Sequence, residues 1–211
     1  MSLLLPSVAF MGNRGAFGHI AARKLFPDRV LKPCSTFDEC FSSVNNKECS
    51  CAVLPFENSS AGPINEVHQL LKERKYHIAG EYFLPVHHVL MALPGVRLSD
   101  IKQVWSHPQA LMQCRNTLAR LHIAPVPARD TATAAIELYR SGNRTTGAIG
   151  SELSASLYGL NILLRNVEDD AQNTTKFVIV SCTAEAAHSP FSGNIPHKEI
   201  TNFQEKMLGH S

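Results

Sequence analysis

Apolar and polar positions along the chain switch repeatedly between the two-residue alternation of a strand and the three-to-four spacing of a helix. Val8-Ala9-Phe10 reads as a strand, and residues 16–26 carry helical spacing through Phe17, Ile20, Ala21 and Leu25. Thr36-Phe37-Asp38-Glu39 has the form of a capping box opening a second helix, which Asn45-Asn46 ends. Residues 51–56 are a short buried-type strand. Pro63 then suits the first position of a third helix, with Ile64, Val67, Leu70 and Leu71 as its apolar stripe. Residues 78–93 are extended, in two stretches broken at Pro85, and Pro94-Gly95 makes a turn. A strand at Val104-Trp105 leads into a helix over 107–121 with Leu111, Cys114, Leu118 and Leu121 facing inward. A strand over 123–126, a helix over 131–139 and a strand at Gly147-Ala148-Ile149 come next. Ser151 caps a helix that Gly159 stops, and Ile162-Leu163-Leu164 and residues 177–180 close the series as strands.

Strands alternating with helices predict an α/β fold with a mainly parallel sheet. The long extended stretch in the middle predicts strands passing between two lobes rather than one oversized strand. The expected division is a first lobe over residues 1–83 plus 175–182 and a second over 84–174. Residues 183–211 are rich in Ser, Pro, Gly, Asn and His and read as a loosely held tail with one short helix after Thr201.

Composition narrows the partners. A chain of 211 residues with 44% hydrophobic and 18% charged positions is ordinary for a globular protein that buries a core. A net charge of +2 offers no pull toward nucleic acid or a membrane surface. No apolar run approaches the roughly 18 residues of a membrane span. Ser2-Leu3-Leu4-Leu5-Pro6 is too short for a secretory segment. The expected partner is therefore a small molecule, with no nucleic acid and no membrane, and a homodimer is left open as an assembly. The six cysteines lie mostly in apolar segments, and Cys49-Ser50-Cys51 is neither a CxxC pair nor a zinc knuckle. Reduced thiols in a cytoplasmic protein are expected.

Five segments lie at strand-to-helix corners or strand mouths, where open α/β sheets bind ligands. Gly12-Asn13-Arg14-Gly15 could present backbone N–H groups to an anion or form a tight turn. Glu57-Asn58-Ser59-Ser60-Ala61-Gly62 is more polar than a turn requires. In Ser106-His107-Pro108-Gln109, Ser106 suits an N-cap, which leaves His107 and Gln109 to face a ligand. Arg129-Asp130-Thr131-Ala132 offers Asp130 as a cap or as a ligand contact. Asn173-Thr174-Thr175-Lys176-Phe177 places a hydroxyl and a cation ahead of the apolar run Val178-Ile179-Val180, the equipment for protonating a leaving group on an anion. Taken singly, each segment has a structural explanation; together they predict a small-anion site. His87-His88 would point to opposite strand faces and cannot chelate one metal, and Asp169-Asp170 reads as a solvated acidic turn. No metal or cofactor is expected, and the GxxxxGK[ST], HExxH and GxSxG motifs are absent.

In order, these segments resemble the catalytic domain of the prephenate dehydratase family, which includes arogenate dehydratases. The matching stretches are residues 12–22 (GNRGAFGHIAA), 55–64 (PFENSSAGPI), 80–90 (GEYFLPVHHVL), 104–114 (VWSHPQALMQC), 130–135 (DTATAA), 148–160 (AIGSELSASLYGL) and 168–177 (EDDAQNTTKF). The resemblance implies a two-lobed α/β fold of the type II periplasmic-binding kind with its site in the cleft. It implies loss of carbon dioxide and the ring hydroxyl from prephenate to give phenylpyruvate, a step in phenylalanine biosynthesis that needs no cofactor. Thr175 maps to the family's proton-donating threonine. Asn58, Ser59, Ser106, Gln109, Thr131 and Asn173 map at or near substrate-binding positions, and His107, Ala132, Lys176, Phe177 and Arg14 are expected to join them, with helix N-termini holding the carboxylates.

Departures from the family pattern cluster at two places. Lys176 stands for its usual arginine, keeping the charge and losing the bidentate fork. In the first block Asn13, Arg14, Ala16 and Gly18 replace Pro, Glu, Thr and Ser, which removes two hydroxyls and reverses a charge; Arg14 either offsets Lys176 by adding a cation or marks an altered substrate. The residues after Val180 are too few for the phenylalanine-binding ACT domain that many members carry, so no feedback by that route is expected. Arogenate dehydration, a non-aromatising prephenate decarboxylation and a non-catalytic small-carboxylate binding protein are the alternatives.

Overall fold

The computed structural model describes residues 7–74 and 76–182; the N-terminal Ser2–Pro6 stretch, the tail and its expected helix after Thr201 lie outside the described residues. In chain order the elements are β1 (Ser7–Met11), α1 (Phe17–Leu25), β2 (Leu31–Cys34), α2 (Phe37–Asn45), β3 (Cys49–Asn58), β4 (Gly62–Pro63), α3 (Asn65–Glu73) and β5 (His77–Pro85). They continue with β6 (Val89–Ala92), β7 (Gln103–Ser106), α4 (Pro108–Gln113), α5 (Arg115–Leu121), β8 (Ala124–Pro127), α6 (Thr131–Ser141), β9 (Thr146–Gly150), α7 (Glu152–Leu157), β10 (Asn161–Arg165) and β11 (Thr174–Ser181). They form two compact units. Among the described residues, one unit holds 7–12, Gly18–Leu84 and 174–182; the other holds Asn13–Phe17 and Pro85–Asn173.

The first unit is built on a sheet of order β2-β1-β3-β11-β5, with β4 paired to β3. β1 runs parallel to β2 and β3, whereas β11 runs antiparallel to β3. Alternation sends Ala9, Leu54, Val178 and Val180 to a face covered by Phe41 and Val44 of α2 and Val67 of α3. The second unit has the order β10-β6-β9-β7-β8. There β7, β8 and β9 are parallel, and β6 opposes both β9 and β10. Leu90, Val104 and Ile149 pack with Leu111 of α4, Leu118 of α5 and Cys114 between them. Val89, Met91 and Ala148 pack with Ala134, Ala135 and Leu138 of α6 and Ala155 of α7. The sheets are thus mixed rather than mainly parallel, because periodicity reports a strand's faces and not its direction.

Four local expectations are corrected. Pro63 is not helical: it sits in β4 opposite Glu57, and the Ile64 N–H donates to Phe56 O at 2.9 Å, which delays α3 to Asn65. The helix expected over 107–121 breaks at Cys114. Asp169 enters the gap, its N–H donating to Gln113 O at 2.7 Å and its Oδ2 accepting from Asn116 N at 3.2 Å. At α2, Thr36 accepts from Glu39 N as expected, but the Glu39 carboxylate reaches Ser35 N rather than Thr36 N. His87 and His88 lie between β5 and β6 rather than in a strand; the buried carboxylate of Glu168 takes the His87 Nδ1 at 2.8 Å and the His88 N–H at 2.8 Å.

Gly18 has a packing reason that its sequence context does not reveal. A Cβ there would lie 2.6 Å from Met11 O, because the first turn of α1 presses on the end of β1. Gly18→Ser should therefore destabilise the fold by about 1–3 kcal/mol, read as a lowered urea midpoint with unchanged slope. His88 is 2% exposed, with its Nε2 at 3.0 Å from Gln113 Oε1 and its ring edge-on to Phe17. Burial lowers its pKa, against the pull of Gln113 and Glu168. The folded state thus resists a proton that the unfolded chain accepts near its ordinary value of about 6.5. Stability should be full above that pH and fall as the pH drops from 7 to 5, with a shallower fall in His88→Gln when unfolding free energies are compared.

Candidate functional site

Thr175 does not precede β11 but is its second residue, paired across the antiparallel seam with Asn58, the last residue of β3. The start of β11 therefore lies at the carboxyl end of β3, the kind of strand end at which open α/β sheets bind ligands. Glu57 and Asn58, expected in a loop, belong to the same seam. The Asn58 Oδ1 accepts from Ser60 N at 3.0 Å and Ala61 N at 2.9 Å. Its Nδ2 donates to Thr174 O at 3.2 Å and to Thr175 Oγ1 at 2.9 Å. Ser59 completes the clamp: its N–H donates to Thr174 O and its Oγ accepts from Thr174 N, both at 2.9 Å. With Asn58 donating to its oxygen, the 8%-exposed Thr175 keeps its own hydroxyl proton for another acceptor.

Lys176 follows on the opposite face of the strand. Its ammonium is 3.1 Å from Glu57 Oε2 and 5.0 Å from the centre of the Phe56 ring, against which His68 stacks at 3.8 Å. A register shift at Lys176/Phe177 puts these residues alongside one another. Glu57 was not among the expected site residues; its role as counter-ion follows from cross-strand register, which only the pairing of β3 with β11 discloses. Phe177 is 1% exposed and lies in the core of the first unit.

In the second unit the predicted residues gather at the carboxyl ends of the parallel strands β7, β8 and β9. Ser106 is not an N-cap: it is wholly buried in β7, and its hydroxyl donates to Ile149 O at 2.7 Å. His107 caps α4 instead, accepting from Gln109 N at 3.1 Å. Packing lowers the His107 pKa, opposed by the charge of Asp130. Gln109 buries its Nε2 with no hydrogen-bond partner among the described residues. Asp130 caps α6, accepting from Ala132 N at 2.9 Å, Thr133 N at 2.7 Å and the Thr133 hydroxyl at 2.5 Å. Thr131, half-buried, opens that helix, and the side chain of Ala132 is wholly buried. At the starts of α4, α6 and α7, His107 accepts from Gln109 N, Asp130 from Ala132 N and Thr133 N, and Ser151 from Ser154 N.

The segment Asn13–Phe17 joins this group. Asn13 Nδ2 donates to Thr133 Oγ1 at 2.9 Å, Tyr158 donates to Arg14 O at 2.5 Å, and Ser151 and Ser154 both donate to Gly15 O. Arg14 itself is exposed. Gly15 has φ +96°, and a Cβ would sit 2.5 Å from Ser154 Oγ, so the glycine pattern serves close packing. Asn173 is 1% exposed; its N–H donates to Asp170 O and its carbonyl accepts from Val86 N. Asp170 and Asp169 are used in local caps, and no cluster of three metal-ligating side chains occurs among the described residues.

Residues 8–185 match the prephenate dehydratase family. The chain belongs to that family. It is 45% identical over 174 residues to arogenate dehydratase/prephenate dehydratase 1, chloroplastic, of Arabidopsis thaliana, covering 82% of this chain and 44% of that protein. The prephenate dehydratase of Arthrobacter aurescens, solved with L-Phe, superposes with a TM-score of 0.78 at 30% identity, covering 83% of this chain and 60% of that one. GqqA, described as a novel type of quorum quenching acylase, has a TM-score of 0.77 at 39% identity, covering 84% of this chain and 64% of that one. The chain spans under half the length of the plant relative. The prephenate dehydratase match contains both the Asn58–Thr175 seam and the Asp130 cap.

Asp130 satisfies three donors at the start of α6. Asp130→Ala should cost about 1–2 kcal/mol of stability, measured by chemical denaturation, whereas Asp130→Asn, which keeps an acceptor, should cost clearly less.

Proposed function

We propose that the chain acts as a carbon–oxygen lyase on prephenate or on its amino counterpart arogenate. The ring C–O bond breaks as the departing hydroxyl takes a proton and leaves as water. The bond to the ring carboxyl breaks with it, its electron pair entering the ring, and carbon dioxide departs, giving phenylpyruvate or phenylalanine. Aromatisation drives the step, so the protein's task is to hold the anion in line and offer one proton. An unperturbed threonine is a very weak acid, and Thr175 accordingly acts as a hydrogen-bond donor to the oxygen on which charge develops, its proton being restored from solvent. The observation that carries this reading is the direction of the Asn58–Thr175 bond, in a chain of this family.

The supporting contacts are proposals of the same kind. The Gln109 Nε2 suits an oxygen of the substrate, since a buried amide donor without a protein partner is costly. Lys176 is engaged with Glu57, so Arg14 is proposed as a carboxylate-binding cation with the fork that lysine lacks. Ser106 and Asn173 support their strands and turns around these contacts. Five buried free thiols suit a reducing compartment, and the cytoplasm is the proposed location; no helix among the described residues is long and apolar enough to cross a membrane.

Purified protein incubated with prephenate should generate phenylpyruvate absorbance. Thr175→Val should lower kcat by about 10²–10⁴-fold, and Thr175→Ser should keep most of it. Binding without turnover by the wild type would instead favour a carboxylate-binding protein, and a decarboxylated non-aromatic product would favour the non-aromatising reaction.

A further inference from the structure

We infer that Asn58 is a positioning residue that sets the direction of the Thr175 hydroxyl, rather than a contact to the substrate; this rests on the dehydratase reading above. The chain of causes begins in the backbone. The N–H groups of Ser60 and Ala61 converge on one end of the Asn58 amide, at 3.0 and 2.9 Å, which makes that end the carbonyl oxygen. Rotating the amide end for end would bring an NH₂ against two N–H donors and a second oxygen against Thr174 O. The other end is therefore the NH₂, and it donates to Thr175 Oγ1 at 2.9 Å. A hydroxyl whose lone pair receives a donor turns its own O–H away from that donor. Asn58 thus fixes Thr175 as a donor toward a third group and keeps it from serving as an acceptor there.

A carboxylate in the same place would reverse this. Asp at position 58 keeps an oxygen for Ser60 N and Ala61 N, but its second oxygen accepts where the amide donated. It would draw the Thr175 proton to itself and away from the leaving group. A substrate contact would respond differently, because losing it weakens binding.

The experiment compares Asn58→Asp with wild type at saturating and limiting prephenate. The expected result is a folded variant with kcat lowered at least about 10²-fold and KM changed by less than about threefold. In a Thr175→Val background the same substitution should add almost nothing, since its route of action is gone. A raised KM with kcat kept, or equal losses in both backgrounds, would overturn the inference. Should Asn58→Asp fail to fold, hydrogen exchange of the Asn58 side-chain amide decides the matter. One of its two protons should exchange faster in Thr175→Val than in wild type, and identical exchange would refute the assigned bond. Absence of wild-type turnover would sink the dehydratase reading, while the exchange measurement would still test the direction of this bond.

Discussion

At its mouth, the seam between β3 and β11 is organised by one side-chain amide. Asn58 sits where a strand ends and a turn begins, so its polar atoms meet two kinds of backbone partner: the donors of the turn on one side and the acceptor of Thr174 on the other. A buried amide cannot leave such groups unmatched without a cost of about 1–3 kcal/mol for each. The orientation of the amide is accordingly set by the course of the main chain. Through it, the turn after β3 determines how a hydroxyl on a strand far away in sequence presents its proton.

The same strand separates the two functional groups that sequence places side by side. Adjacent residues of β11 face opposite ways, so the hydroxyl of Thr175 and the ammonium of Lys176 serve different surroundings. The cation rests on Phe56 and against Glu57. In the second unit, a similar logic governs the helix starts. Each of α4, α6 and α7 has an amide satisfied by a nearby side chain, whereas the Gln109 side-chain amide is buried with no hydrogen-bond partner among the described residues.

Much of this was legible in the sequence. Element order, most helix starts and the presence of two groups of strands and helices could be read from periodicity and capping residues, and the ordered blocks carried the family. What was hidden shares a cause: it depends on which backbone lies alongside which. Periodicity could not tell that β11 runs against β3, that Asp169 would interrupt the helix at Cys114, or that Pro63 would be held extended by Phe56. Likewise Ser106 has the right residue type for a cap, but a carbonyl on β9 claims its hydroxyl first. Glu57 could be recognised as the partner of Lys176 only once the register was known.

The place of β11 in its sheet has a consequence for how the protein is made. It is the last described strand in the chain, yet it lies in the interior of the order β2-β1-β3-β11-β5. During translation, β3 and β5 emerge from the ribosome long before the strand that joins them, and each must wait with an unpaired edge. The nascent first unit is therefore an incomplete sheet until residue 181 has been added, and delay at that stage favours pairing between neighbouring chains over closure within one.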